Sequence, residues 1–127
     1  ISFEDAKDGI RTRLKEAVRR QLISDVPIGV YLSGGIDSSS LVAMMSELGV
    51  DDIRTFTLGF NEPTDEFDSA KIIADQFSTN HQTLSLDLDP MKHFPNVIWH
   101  SEVPKINLLQ GHMMSQFVSQ HVKVVLG

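Results

Sequence analysis

Apolar and polar positions change period several times along the chain, and the changes mark out alternating helices and strands. Ile10, Leu14, Ala17, Val18 and Leu22 recur at helical spacing. Ser2 followed by Asp5 is a capping pattern, with Asp8 near the same end, so a helix is predicted from there to about Ile23. Pro27 biases Val26 toward extended backbone, and the run Ile28-Gly29-Val30-Tyr31-Leu32 is nearly continuously apolar. That is the pattern of a strand covered on both faces of a parallel sheet. Leu41, Val42, Met44, Met45 and Leu48 line a second helix, Ser39 to Leu48, stopped by Gly49.

A second strand spans Ile53 to Phe60, with Ile53, Phe56 and Leu58 as its buried members. Their three-residue offset predicts partial burial on both faces. Phe67, Ala70, Ile73, Ala74 and Phe77 predict a helix from about Glu66 to Phe77. Thr83 to Leu86 is the third strand, turned away by Asp87, Asp89 and Pro90. From Met91 to His100 the pattern is mixed and Pro95 interrupts it; Trp99 there reads as a core or interface residue. Glu102-Val103-Pro104 opens a loop, Leu108 to Gln120 is a further helix, and Val122 to Leu126 is a fourth strand. Repeated strand–helix units imply one α/β domain over residues 1–127, a parallel sheet flanked by helices with right-handed crossovers. Its ligand is expected beyond the carboxyl ends of the strands, where the strand order reverses.

The stretch at that edge is Ser33-Gly34-Gly35-Ile36-Asp37-Ser38-Ser39, between the first strand and the second helix. Two glycines permit positive φ and close approach of backbone to a ligand. Backbone N–H groups of the turn and of the helix start form a cradle for an anion. Ser33, Ser38 and Ser39 add hydroxyls, and Asp37 adds a carboxylate. A carboxylate beside a phosphate calls for a cation between them, and Mg²⁺ held by Asp37 and phosphate oxygens is the natural reading. The spacing is neither G-x-x-x-x-G-K-[ST] nor G-x-G-x-x-G. The plainer alternative is a Gly-Gly turn with Asp or Ser capping the helix. The strand, the glycine pair, the acid and the clustered serines together favour phosphate.

Composition narrows the partners. With 11 basic and 17 acidic residues the net charge is −6, which argues against a nucleic-acid partner. There is no cysteine, so disulfides, thiolate metal sites and cysteine catalysis are excluded within the chain. No apolar run reaches membrane-span length and nothing resembles a secretory signal, so no membrane partner and a cytoplasmic location are expected. The five histidines, His81, His93, His100, His112 and His121, follow no metal-ligand spacing and read as surface or packing residues. Asp87 and Asp89 read as a strand end, not a metal pair. Helix capping accounts for Asp65, Glu66 and Asp68. Arg11, Arg13, Lys15, Arg19 and Arg20 read as a solvated helix face, with attraction of a phosphate-bearing substrate the weaker reading.

Ser33-Gly34-Gly35-Ile36-Asp37-Ser38 resembles the S-G-G-x-D-S pyrophosphate loop (PP-loop) of the ATP-pyrophosphatase superfamily. The flanks narrow the resemblance to the synthetase domain of glutamine-hydrolysing asparagine synthetases. They are Asp25 to Leu32, the basic helix before it, Thr55 to Phe60, Asp65-Glu66, His81, Trp99-His100 and Val122 to Leu126. The resemblance implies a Rossmann-like, adenine-nucleotide alpha-hydrolase fold. It implies that Ser33, Gly34, Gly35 and Ser38 hold the pyrophosphate portion of ATP, that Asp37 binds Mg²⁺, and that Leu32 and Leu58 meet the adenosine. It further implies adenylation of aspartate to β-aspartyl-AMP, then displacement of AMP by ammonia drawn from glutamine, and it is compatible with a homodimer. The family's Asp/Glu-Glu-Pro segment stands here as Glu102-Val103-Pro104, which bears on substrate choice. Its S-G-E/D-G-x-D-E segment and its N-terminal glutaminase domain have no counterpart in the sequence, so an excised synthetase piece, incomplete at the C-terminus and inactive alone, is expected. Two other readings stay open: a related amide-forming or β-lactam-type synthetase with another carboxylate substrate, and a non-catalytic nucleotide-binding module.

Overall fold

In the computed structural model, residues 1–86, 89–103, 105 and 108–127 are described, with the backbone alone at Pro90. Helix α1 (Phe3–Gln21) opens on the predicted capping box: Ser2 Oγ accepts from the Asp5 N–H at 3.1 Å and the Asp5 carboxylate accepts from the Ser2 N–H at 3.2 Å. There follow β1 (Ile28–Tyr31), α2 (Ile36–Glu47), β2 (Arg54–Gly59), α3 (Phe67–Gln76), β3 (Asn80–Ser85), α4 (Pro90–Ser101), α5 (Leu108–Val118) and β4 (Val124–Leu126). The expected α/β architecture is present.

All strand pairs are parallel and the sheet order is β3-β2-β1-β4. The chain steps outward from β1 to β2 to β3, then returns across the sheet to place β4 on the far side of β1. A right-handed crossover that reverses direction must put its helices on the opposite face. The core divides accordingly. On one face Val30 and Leu32 of the β1 segment pack with Val18 of α1, Val42 and Met45 of α2, and Ala70 and Ala74 of α3. On the other, Phe56 packs with Val118 and Val122, flanked by Tyr31, Met114, Phe117 and Val125. Phe56 is fully buried, edge-on to Phe117 with ring centroids 6.0 Å apart. Gly29 is required there, because a Cβ would come 2.6 Å from the Phe56 ring.

Several expectations are corrected. Ile53 and Phe56 are buried as expected, but in β2 Thr55, Thr57 and Gly59 are buried too, while Leu58 is only half-buried. The threonines tolerate burial because Thr55 Oγ1 bonds Thr79 Oγ1 and His81 Nδ1, and Thr57 Oγ1 donates to the Leu32 carbonyl. The mixed stretch is a helix, α4, that passes through Pro95. Asp89 caps it, accepting from the Met91 N–H at 3.1 Å, so the predicted strand-end role for Asp89 becomes a helix cap; Asp87 lies outside the described residues. Trp99 is not in the core but 81% exposed. The basic residues of α1 form the solvated face expected of them. Arg19 and Arg20 hold the Glu16 carboxyl down to about 2, and Arg11 and Lys15 reach Glu47 of α2. Among the described residues no helix is long and apolar enough to cross a membrane.

Candidate functional site

The end of β1 lies between β2 and β4, where the sheet order reverses, and the Ser33–Ser38 loop leaves from that point. Position comes first from the backbone. Leu32 donates its N–H to the Phe56 carbonyl at 2.8 Å, and its own carbonyl accepts from Thr57 Oγ1 at 2.5 Å. The strand end is thereby fixed to β2 immediately before the turn.

Only one of the two glycines has positive φ. Gly34 is at φ 78°, and a Cβ there would sit 2.5 Å from Ser69 Cβ and 2.8 Å from the Ala70 nitrogen, so the turn rests directly on α3. Gly35 has φ −69° and is the N-cap of α2. The helix therefore starts at Ile36, earlier than the expected Ser39. Neither Asp37 nor a serine stands at the N-cap, and no side chain accepts from the N–H groups of Ile36, Asp37 or Ser38 among the described residues. The capping alternative is thus not how the loop is built. The backbone N–H groups of Gly34, Ile36, Asp37 and Ser38 find no acceptor among the described residues. They leave an uncommitted donor set at the positive end of α2.

The serines mostly shape the loop. Ser38 Oγ accepts from the Ser33 N–H at 3.3 Å and stands 3.1 Å from Ser33 Oγ, which in turn accepts from the Gly35 N–H at 3.2 Å. Ser39 Oγ is buried without a partner among the described residues and does not line the cleft.

A cleft of about 390 Å³ opens above this turn, a volume in the range of ligand sites. Of the predicted site residues Leu32, Ser33, Asp37, Ser38 and Leu58 line it, while Gly34 and Gly35 turn the chain beneath. Tyr31, Leu41, Phe56, Thr57, Glu66, Met114 and Gly127 line it too, and sequence reasoning did not find them. Tyr31, Phe56, Thr57 and Glu66 carried a signal only as members of the family-like flanks; Leu41, Met114 and Gly127 carried none. A second lobe of about 450 Å³ adjoins, sharing Tyr31, Leu58, Glu66 and Met114.

Asp65 has a different role from the one expected. Its carboxylate accepts from the Phe60 N–H at 2.9 Å and the Glu62 N–H at 3.0 Å, closing the β2–α3 loop rather than capping α3. Gly59 makes room for this, since a Cβ would meet Asp65 Oδ2 at 2.6 Å and the Phe67 ring at 2.4 Å. His81 lies on the other side of β2 from Phe56. Burial lowers its pKa, with the Lys71 charge adding to that, and its Nε2 is buried without a partner among the described residues. Asp37 is exposed and shares the cleft with one other carboxylate, Glu66; among the described residues no three His, Asp or Glu side chains gather to hold a metal. Such a donor set suits an ion completed by phosphate oxygens and water.

A parallel sheet with a glycine-turned strand–helix loop at its switch point is a Rossmann-like fold of the PP-loop type. Solved structures agree: an NH3-dependent NAD synthetase from Campylobacter jejuni superposes with a TM-score of 0.58 over 100% of this chain and 56% of that one, at 12% identity. The asparagine synthase family model matches residues 9–127, and the chain belongs to that family. Two relatives show its range. Amidase chyE of Penicillium rubens is 33% identical over 98% of this chain and 21% of its own length. Asparagine synthetase [glutamine-hydrolyzing] 1 of Bacillus subtilis is 30% identical over 92% of this chain and 19% of its own. The chain thus spans about a fifth of the length of these relatives.

Proposed function

We propose that the cleft binds ATP with its pyrophosphate portion on the Ser33–Ser38 loop, and that the protein uses it to activate a carboxylate for amide formation. The observation that carries this reading is the free N–H set at the head of α2, beside Ser33, Asp37 and Ser38 on the cleft wall. The N–H groups of Gly34, Ile36, Asp37 and Ser38 would stabilise charge on the departing pyrophosphate, an electrostatic task. Leu32 and Leu58 would border the adenosine. Asp37 would hold Mg²⁺, which when bound draws charge from the phosphate oxygens.

The carboxylate we assign is the side chain of aspartate. One of its oxygens attacks the α-phosphorus, the bond to the bridging oxygen breaks, and pyrophosphate leaves with that electron pair. Ammonia, supplied from glutamine, then attacks the acyl carbon; AMP departs, a proton is lost and asparagine results. No side chain of the loop acts as a nucleophile in this scheme, in keeping with a loop that offers backbone donors, serine hydroxyls and the Asp37 carboxylate.

A second reading has its own support. A relative named as an amidase matches 98% of the chain, and Val103 stands where the family pattern has an acid. Both favour a carboxylate other than aspartate. A carboxylate panel with the whole protein, scored by AMP release, separates the readings. Release with aspartate and ammonia supports the first, and release only with another acid supports the second. Mg-ATP binding without release on any acid leaves a nucleotide-binding module.

A further inference from the structure

The packing of α4 against α5 brings two histidines together, away from the cleft above the Ser33–Ser38 loop. His100 lies in the last turn of α4 and His112 in the second turn of α5. Their ring centroids are 5.5 Å apart, with the planes inclined at 45°. They border an open hollow of about 490 Å³ whose other walls are Asn96, Ser115 and Gln116. All five residues carry nitrogen or oxygen donors, and none carries a carboxylate.

The tautomer of His100 follows from its surroundings. Its Nδ1 lies 2.9 Å from the Asn96 carbonyl oxygen. A carbonyl oxygen only accepts, so Nδ1 carries the hydrogen, and in the neutral ring the lone pair is on Nε2. Backbone carbonyls orient metal-ligating histidines in this way. Two imidazoles on one ion, at about 2 Å from metal to nitrogen, place their ring centres roughly 5 Å apart, close to the separation seen here. Simple packing accounts poorly for the pair, because His100 is exposed.

We propose that His100 and His112 form a site for a borderline-soft divalent ion, of the Zn²⁺, Ni²⁺ or Cu²⁺ class, that clips α4 to α5. Water or the amide oxygens of Asn96 and Gln116 complete the coordination. Imidazole donors favour these ions over Mg²⁺, so the site is chemically distinct from Asp37. The clip bears on the cleft, because α5 supplies Met114 to its first lobe and Gln110 and Gly111 to its second. Fixing α5 to α4 stiffens that wall.

The test is titration of the full chain with Zn²⁺ in excess Mg²⁺, read by calorimetry and by the histidine ring resonances in NMR. Saturable one-to-one uptake is expected, with the His100 and His112 rings shifting together and Tm rising. His100→Ala, an exposed change that leaves the fold intact by circular dichroism, weakens uptake by at least the roughly tenfold that loss of even an outer-shell partner costs. His112→Ala does the same, and His93→Ala leaves uptake unchanged. Absence of saturable uptake, or uptake that survives His100→Ala, overturns the proposal.

Discussion

At Gly34 the φ of 78° and the Ser69 Cβ 2.5 Å from the place of a side chain both exclude any other residue. Gly34→Ala is expected to cost roughly 1–2 kcal/mol for the left-handed backbone, and about 1–3 kcal/mol more for overpacking against α3. Gly35→Ala meets only Ser33 Oγ at 3.2 Å with ordinary φ, and its stability should stay within about 1 kcal/mol of the parent. Urea denaturation of the two variants checks the contrast. The sequence shows a glycine pair, but which member is obligatory depends on α3, and no local pattern carries that. His81 supplies a second test at this scale. Its pKa is lowered in the folded state by burial first and by Lys71 next, with Asp75 opposing. The unfolded chain takes up a proton near the ordinary value of about 6.5 that the folded ring refuses. This contribution is therefore full above that pH, is lost as the pH falls below it, and stops changing below the folded pKa. His81→Gln should narrow the difference in urea midpoint between about pH 7.5 and about pH 5.5; an unchanged difference contradicts the assignment.

Among the elements, the β2–α3 loop has one carboxylate as its main side-chain acceptor for backbone N–H groups. Asp65 satisfies the Phe60 and Glu62 N–H groups, and Asp65→Ala should destabilise the chain by about 1–3 kcal/mol. Amide exchange should speed up first at those two residues; unchanged protection there would show that the loop is held otherwise. Periodicity made α1, α2, α3 and α5 legible, along with the four strands, to within a few residues. It failed at α4, where Pro95 reads as a break. The helix persists there with Pro90 in its first turn, Val97 buried and α5 packed alongside, so tertiary contact outweighs one lost backbone bond. Of the two readings of Trp99, core or interface, its exposure on α4 removes the first. In β2 the polar character of Thr55 and Thr57 hid their burial, because their partners come from elsewhere: Thr79, His81 and Leu32.

For the molecule as a whole, strand order decides where chemistry can occur. A continuous apolar β1 followed by a glycine turn pointed from sequence alone to the sheet edge where the cleft opens. The return of the chain to place β4 beside β1 did not follow from any residue pattern, yet it makes that edge a cleft, with Gly127 of the β4 end and Met114 of α5 as walls. The central claim is that this cleft holds ATP through free backbone donors and a metal on Asp37. Calorimetric titration of the chain with ATP, with and without Mg²⁺, alongside Asp37→Ala tests it most directly. One-to-one binding that requires Mg²⁺ and weakens roughly tenfold, about 1.4 kcal/mol, in Asp37→Ala is the predicted result. Equal binding by the two proteins, or none by either, would contradict it.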